Sequence, residues 1–346
     1  MMIRTVKRVV APLLALALVL SACQAKPGER SEGGEITIGI GGQPLLVYLP
    51  TTLARELGYY EEAGLTVNLE DLQGGSKALQ ALQGGSVDVV SGYYDHAIQM
   101  AAKDREVRSF VTMLRYPSIV LAVSPKASKP IDSVADLAGA NVGVTAPGSS
   151  TDFFLKYMLD KEGLAPDAAT VQGIGGDAGA VTAMEQGRVD AAVMIDPAFS
   201  LLGQRVGEDN VKVLTDTRTA EGVQEDFGVP TYPAAVLYST GTWLENNEEN
   251  ARKLAGVIVK TLEWIDQHSA EEIADRMPAE YSQGNREVYV ESIAKAKDAY
   301  SKDGVMQADG AEAVRSVLAQ FDKEIAGADI DLAGTYSNDY LPAKEG

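Results

Sequence analysis

The sequence predicts an α/β fold of two lobes, each a mainly parallel sheet flanked by helices, joined by a two-stranded hinge. Short apolar runs alternate with helical segments along most of the chain, the grammar of strands joined by crossover helices. That grammar occurs twice. Residues 74–88 parallel residues 176–190, each an Ala-rich helix, a glycine stop (Gly85, Gly187) and a Val-Asp strand entry (Val87-Asp88, Val189-Asp190). An isolated apolar run follows each series, Ile119 to Val123 and Ala234 to Tyr238, and these read as paired strands crossing beneath a cleft. At roughly 100 to 200 residues per domain, 346 residues suit two such units.

The elements follow in order. In the first series strands are expected over 36–40, 66–72, 87–90 and 107–113, with helices over 51–63, 77–83 and 95–102. In the second, strands cover 142–144, 170–173 and 190–194, and helices cover 151–162 and 179–186. The rest is helical. Leu254, Val257, Ile258, Leu262 and Ile265 are spaced for one buried stripe, and Val314, Val317, Leu318 and Phe321 for another. Asn247, Glu248 and Glu249 mark a helix start. These helices are expected to pack on the first lobe. The boundaries are therefore 36–123 for the first part of lobe one, 124–236 for lobe two and 237–346 for the second part of lobe one.

The start of the chain is different in kind. Arg4, Lys7 and Arg8 lead into an apolar run from Val9 to Leu20, too short for a membrane span of about 20 residues but suited to a signal peptide. Leu20-Ser21-Ala22-Cys23 then resembles the lipobox of bacterial lipoproteins, which implies cleavage after residue 22 and acylation of Cys23. Cys23 is the only cysteine, so no disulfide forms within the chain. Residues 23–35 are polar and read as a lipidated tether. Loss of three cations with residues 1–22 would take the net charge from −19 to −22. So acidic a chain has no electrostatic footprint for nucleic acid.

In parallel α/β sheets a ligand lies beyond the carboxyl ends of the strands, against helix N-termini. The loops there are Gly41-Gly42-Gln43-Pro44, Gly74-Gly75-Ser76 and Gly92-Tyr93-Tyr94-Asp95 in the first lobe. In the second they are Thr145 to Thr151, with Ser149, Ser150 and Thr151, then Gly175-Gly176-Asp177 and Ile195-Asp196-Pro197. Glycines admit close backbone approach, and the hydroxyls either cap a helix or face a ligand. The tyrosines Tyr48, Tyr93, Tyr94, Tyr116 and Tyr232 suit a planar ring or an anion, and Asp95, Asp177 and Asp196 suit an amine or ring N–H. Arg115 could clamp a sulfonate or carboxylate. Asp95 and Asp196 are expected to face each other across an open cleft, both in water.

Ile38-Gly39-Ile40, the segment Glu56-Leu57-Gly58-Tyr59-Tyr60 running on to Gly64-Leu65-Thr66-Val67, and Gln83-Gly84-Gly85-Ser86-Val87-Asp88-Val89-Val90 resemble the NMT1/SsuA/TauA/ThiY-like group of type II periplasmic binding proteins. The resemblance spans residues 36–325. It implies capture of a small-molecule ligand by lobe closure and delivery to the permease of an ABC importer, by a monomer held at the membrane through its lipid anchor, outside the cytoplasmic membrane. The ligands it implies are sulfonates, taurine, nitrate or thiamine-precursor pyrimidines. The expected ligand residues are Gly42, Gln43, Ser76, Tyr93, Tyr94, Asp95, Arg115, Ser149, Ser150, Thr151, Asp177 and Asp196. No catalytic residue, cofactor or metal site is expected.

Two other readings stand beside this one. A lipoprotein that senses a solute without importing it would have the same sequence. An enzyme of the same fold, such as the pyrimidine synthases, would need the cysteine-rich motif and histidine of that group, whereas Cys23 is committed to lipid and His96 and His268 stand apart. His96 beside Asp95 is also too sparse for zinc or manganese capture. Replacing Cys23 by Ala is expected to abolish incorporation of labelled palmitate; incorporation that persists in the variant refutes the lipobox reading.

Overall fold

The computed structural model describes residues 34–343; the apolar leader, the lipobox with Cys23 and most of the tether lie outside the described residues. The first strand is β1 (Ile36–Ile40), followed by β2 (Val67–Asp71), β3 (Val89–Tyr93) and β4 (Val107–Thr112). Then come β5 (Ile119–Val123), β6 (Asn141–Val144), β7 (Thr170–Gly173), β8 (Ala191–Ile195), β9 (Val213–Asp216) and β10 (Ala235–Thr240). They form two five-stranded sheets, in the orders β2-β1-β3-β10-β4 and β7-β6-β8-β5-β9. Both are mainly parallel, and in each the fourth strand runs antiparallel to its two neighbours.

The internal repeat is a repeat of function in the backbone. Gly39 in β1 and Gly143 in β6 occupy matching places, and a Cβ on either would fall 2.9 Å from Leu72 or 2.4 Å from Ile174, the residue just beyond the neighbouring strand. Only glycine lets that apolar side chain close over the sheet. Asp88 and Asp190 also do one job, each accepting an N–H from the start of β1 or β6, Thr37 or Asn141, at 2.9 Å. Central strands β1, β3 and β8 are buried throughout, as strands covered on both faces by helices must be.

The apolar runs read as crossing strands are not the crossing. Ile119 to Val123, assigned from sequence to the first lobe, pairs with β8 and β9 in the second sheet, while β10 pairs with β3 and β4 in the first. The chain crosses earlier, between β4 and β5, and returns between β9 and β10. The two connections lie side by side: Tyr232 N–H donates to Arg115 O at 3.1 Å, Ala234 N–H to Leu114 O at 3.0 Å and Leu114 N–H to Ala235 O at 3.1 Å. Apolar periodicity could not place this boundary, because a strand is equally apolar in either sheet. The antiparallel strands begin where the parallel ones end, Ala235 opposite Tyr93 and Ile119 opposite Ile195. The hinge therefore lies under the carboxyl ends of both sheets.

The expected helix over 51–63 is two pieces, Leu49–Glu56 and Tyr59–Glu62, separated by Gly58 at φ +75°. The helix Glu248–Gln267 buries its predicted stripe against Leu49–Glu56 and β4. The other C-terminal helices depart from expectation, since they grip the second lobe as well. Arg286–Ala296 packs on Ala198–Val206, and Ala308–Phe321 packs on both Asp95–Ala101 and Ser150–Lys161, with Phe321 6.3 Å from Phe153.

Leu237 in β10 and Leu121 in β5 hold matching fully buried positions in the two returning strands. Truncating either to Ala leaves a cavity that neighbours on both sides cannot fill. Each is expected to cost about 2–5 kcal/mol in urea denaturation; a loss near zero would mean that the antiparallel strand does not carry its sheet.

Candidate functional site

The carboxyl ends of β1, β2 and β3 face those of β6, β7 and β8, and the loops between them enclose a cavity of about 290 Å³. Gly42, Leu45, Asp71 and Lys77 line it from the first lobe, and Thr145, Pro147, Gly175 and Asp177 from the second. Gly42 has φ +142°, a backbone closed to other residues, and turns the loop after β1 into the cavity wall. Gln43, buried behind it, donates its N–H to Asp71 Oδ1 at 3.1 Å, and Gln73 N–H donates to the same oxygen at 3.0 Å. Asp177 caps the helix Ala178–Glu185 through Oδ1, which accepts Gly179 N–H at 2.9 Å.

Below the cavity the lobes meet along a polar seam. Ser76 N–H donates to Ser149 Oγ at 3.0 Å, Ser76 Oγ to Pro147 O at 3.0 Å, and the two serine hydroxyls lie 3.2 Å apart. Ser150 Oγ donates to Asp95 Oδ1 at 2.9 Å, and Leu46 N–H donates to Asp196 O at 2.9 Å. All but Leu46 come from four loops that the sequence placed at strand ends. Thr151 turns back into its own lobe, where its hydroxyl lies 2.8 Å from that of Thr145.

Asp95 is 3% exposed, at the start of the helix Asp95–Ala101. Burial pushes its carboxyl above the ordinary carboxylate range, against the opposing pull of His96 and the Ser150 hydroxyl. Tyrosines Tyr48, Tyr93, Tyr232 and Tyr238 surround it. Burial raises the phenol pKa of each, and the charge of Asp95 raises each further. All four therefore stay neutral. Tyr48 and Tyr93 meet edge to face at 6.1 Å, Tyr93 OH donates to Pro117 O at 2.5 Å, and Tyr232 stacks on Phe227 at 4.6 Å.

Two expected residues are elsewhere, and a third, Asp196, stands at the seam with its carboxylate already occupied. Tyr94 points behind the first sheet, its hydroxyl 2.5 Å from Thr335 Oγ1 and its ring edge to face with Tyr336. Arg115 lies over the Tyr116 ring and donates to the backbone carbonyl of Asp298, on the hinge side. Asp196 is 5% exposed rather than solvated. Its Oδ1 accepts Ser200 N–H at 3.0 Å and Ser200 Oγ at 2.7 Å, while Oδ2 pairs with Arg218 at 3.0 Å. Arg218 also grips Asp216, and although burial works against its charge the two carboxylates outweigh that and raise its pKa. Arg218 was not legible as a partner because 22 residues of chain separate it from Asp196. Asp71 and Lys77 were also missed, though Asp71 ends a strand as Asp196 does.

This arrangement, two similar sheets hinged by paired connections around a cleft, is the two-lobed periplasmic-binding-protein fold. The chain belongs to the NMT1/THI5 like family, whose model matches residues 47–272. A solved structure of a Bordetella bronchiseptica RB50 protein is 38% identical and superposes with a TM-score of 0.85, covering 88% of this chain and 95% of that one. The formylaminopyrimidine-binding protein of Halalkalibacterium halodurans is 27% identical over 75% of this chain and 74% of its own. The alkanesulfonate-binding protein SsuA of Xanthomonas axonopodis pv. citri, bound to MOPS, shares the fold at 17% identity and TM-score 0.69, with 89% and 99% of the chains covered. A 4-amino-5-hydroxymethyl-2-methylpyrimidine phosphate synthase of Aspergillus parasiticus is 23% identical over 85% of this chain and 83% of its own. Among the described residues there is no group of three or more His, Cys, Asp or Glu able to hold a metal ion. No helix among them is long and apolar enough to cross a membrane.

The Asp196 geometry predicts a structural effect. Asp196→Ala strips a half-buried arginine of one carboxylate and uncaps the helix Ala198–Val206, so it is expected to cost about 3 kcal/mol in urea denaturation without solute. A change under about 0.5 kcal/mol would return Asp196 to the role of a free cleft carboxylate.

Proposed function

We propose that this chain is an extracytoplasmic lipoprotein that captures a planar, nitrogen-rich solute of the pyrimidine kind between its lobes and delivers it to the transmembrane subunits of an ABC importer. One observation carries the choice of solute: the cleft is rich in carboxylates and neutral phenols and poor in available cations. Asp71 and Asp177 stand on opposite walls of the cavity, with Lys77 supplying an ammonium, and Asp95 with its tyrosines forms the floor. Arg218 is neutralised by Asp196 and Asp216, and Arg115 turns away to Asp298. A sulfonate or nitrate would meet the carboxylates of Asp71 and Asp177 on the walls and of the buried Asp95 on the floor, with only Lys77 to pair it. A ring carrying amino and N–H donors would instead satisfy those carboxylates and lie against the tyrosine faces. The formylaminopyrimidine-binding relative supports the same side of the family's range.

Binding without chemistry is the companion reading. An enzymatic role like that of the named synthase would need a reacting group in the cleft. Cys23 is assigned to lipid, His268 stacks on Trp264 at 3.8 Å, and His96 is sealed in the seam.

The test is calorimetric titration of the protein with formylaminopyrimidine, taurine, an alkanesulfonate and nitrate. The pyrimidine is expected to bind, and Asp95→Asn to weaken it by roughly five- to 150-fold, the worth of about 1–3 kcal/mol for an unpaired buried donor. Tight binding of a sulfonate with none of the pyrimidine overturns the solute class. Turnover of any of these compounds by repurified protein overturns the binding-only reading.

A further inference from the structure

His96 is a titratable group that the proposed capture of solute leaves unused. It follows Asp95 on the helix Asp95–Ala101, and its side chain is fully buried, at 0% exposure. The burial is the work of both lobes. From the first, Tyr238 presents its ring edge to face at 6.3 Å and its hydroxyl at 3.3 Å from Nδ1, and a Cβ on Gly75 would stand 2.8 Å from Cε1. From the second, Phe153 meets the imidazole edge to face at 5.9 Å. Nε2 is buried without a hydrogen-bond partner. A protonated imidazole carries two donors and a charge, and this buried seam offers it only the Tyr238 hydroxyl and the backbone of Gly148 while shielding the charge from solvent.

We infer that His96 is a positioning residue for solute capture that makes lobe closure proton-sensitive: the closed seam accepts only the neutral imidazole, so acidification opens the cleft and weakens capture. The inference rests on capture by lobe closure and is independent of which solute is captured.

The groups facing His96 fix the sign. On its own helix the neighbour is Asp95; from β10 comes Tyr238, whose phenol is held neutral by burial. The second lobe offers Phe153 and the backbone of Gly148, behind which Asp152 accepts Gly148 N–H and pairs with Lys156. Burial lowers the His96 pKa from 6.5, and the charge of Asp95 and the Gly148 backbone only partly oppose it. Opening returns the ring to water and to its ordinary value. Between the lowered value and 6.5 the open form therefore binds more protons, and falling pH favours it. Asp95 acts oppositely, because burial raises its closed-state pKa above 3.8 and closure takes up a proton as pH falls through that raised value. The loss of affinity thus begins near 6.5 and is blunted as the carboxylate titrates.

Two measurements test this without any solute. The chain has two histidines, so His268→Gln leaves His96 as the only imidazole signal in NMR. In that background, with Cys23→Ala, the pair Ser76→Cys and Ser149→Cys replaces hydroxyls 3.2 Å apart, close enough for a disulfide that locks the seam shut. His96 is expected to titrate lower in the oxidised protein than in the reduced one. An equal or higher midpoint in the oxidised protein overturns the inference. By small-angle scattering, the wild-type radius of gyration should rise from about pH 7.5 to about pH 5.5, and that of His96→Gln should not. A constant wild-type radius, or equal widening in the variant, also overturns it. Failure of pyrimidines to bind in calorimetry would leave both readouts standing, so the two proposals fail separately.

Discussion

Only the first sheet is built from two stretches of chain: its fourth strand, β10, comes from the segment returning from the other lobe, whereas the second sheet is one continuous stretch, β5 to β9. Backbone N–H and C=O groups buried in a sheet must be paired. The first sheet therefore needs β10 between β3 and β4, and the second needs β5 between β8 and β9. The placement of these antiparallel strands sets the position of the hinge, because an antiparallel strand entering at the carboxyl end of a parallel neighbour must start there. Tyr93 and Ile195 end their strands opposite the first residues of β10 and β5. The residues that continue those strands, Asp95 and Asp196, are brought to the floor of the cleft by the same constraint.

What happens to those two aspartates shows how similar backbones diverge. Asp196 is used up: it caps a helix, pairs with Arg218 and offers its backbone carbonyl to Leu46 across the seam. Asp95 has no cation beside it; a serine hydroxyl from the opposite lobe and a ring of phenols are its company. A buried carboxylate without a cation is costly, and such a cost is retained where a ligand can repay it. On the proposed reading the asymmetry between the lobes puts the recognition chemistry in the first lobe, with the second supplying hydroxyls and backbone that close over it.

The C-terminal helices add a second restraint on lobe motion. Ala308–Phe321 touches one helix from each lobe, and Arg286–Ala296 packs on the second lobe while belonging by chain to the first. Rotation about the paired connections must therefore be accompanied by sliding at these faces, where the contacts are largely apolar and tolerant of small shifts, such as Phe153 on Phe321.

Local pattern decided much by itself. The strands of both series, the helices at 75–83 and 178–185, the repeat that relates the lobes and the buried stripe of 248–267 all follow from periodicity, glycine placement and strand-end logic. The loops that line the cleft were legible for the same reason, since a parallel sheet always presents its ligand loops at one end. Which sheet β5 joins was not legible, because five apolar residues satisfy either sheet equally. Nor was the fate of Asp196, Arg115 and Tyr94, whose partners Arg218, Asp298 and Thr335 lie 22, 183 and 241 residues away along the chain. Side-chain chemistry names what a residue can do, and burial with its partners, which only the tertiary structure assembles, decides whether it remains free to do it.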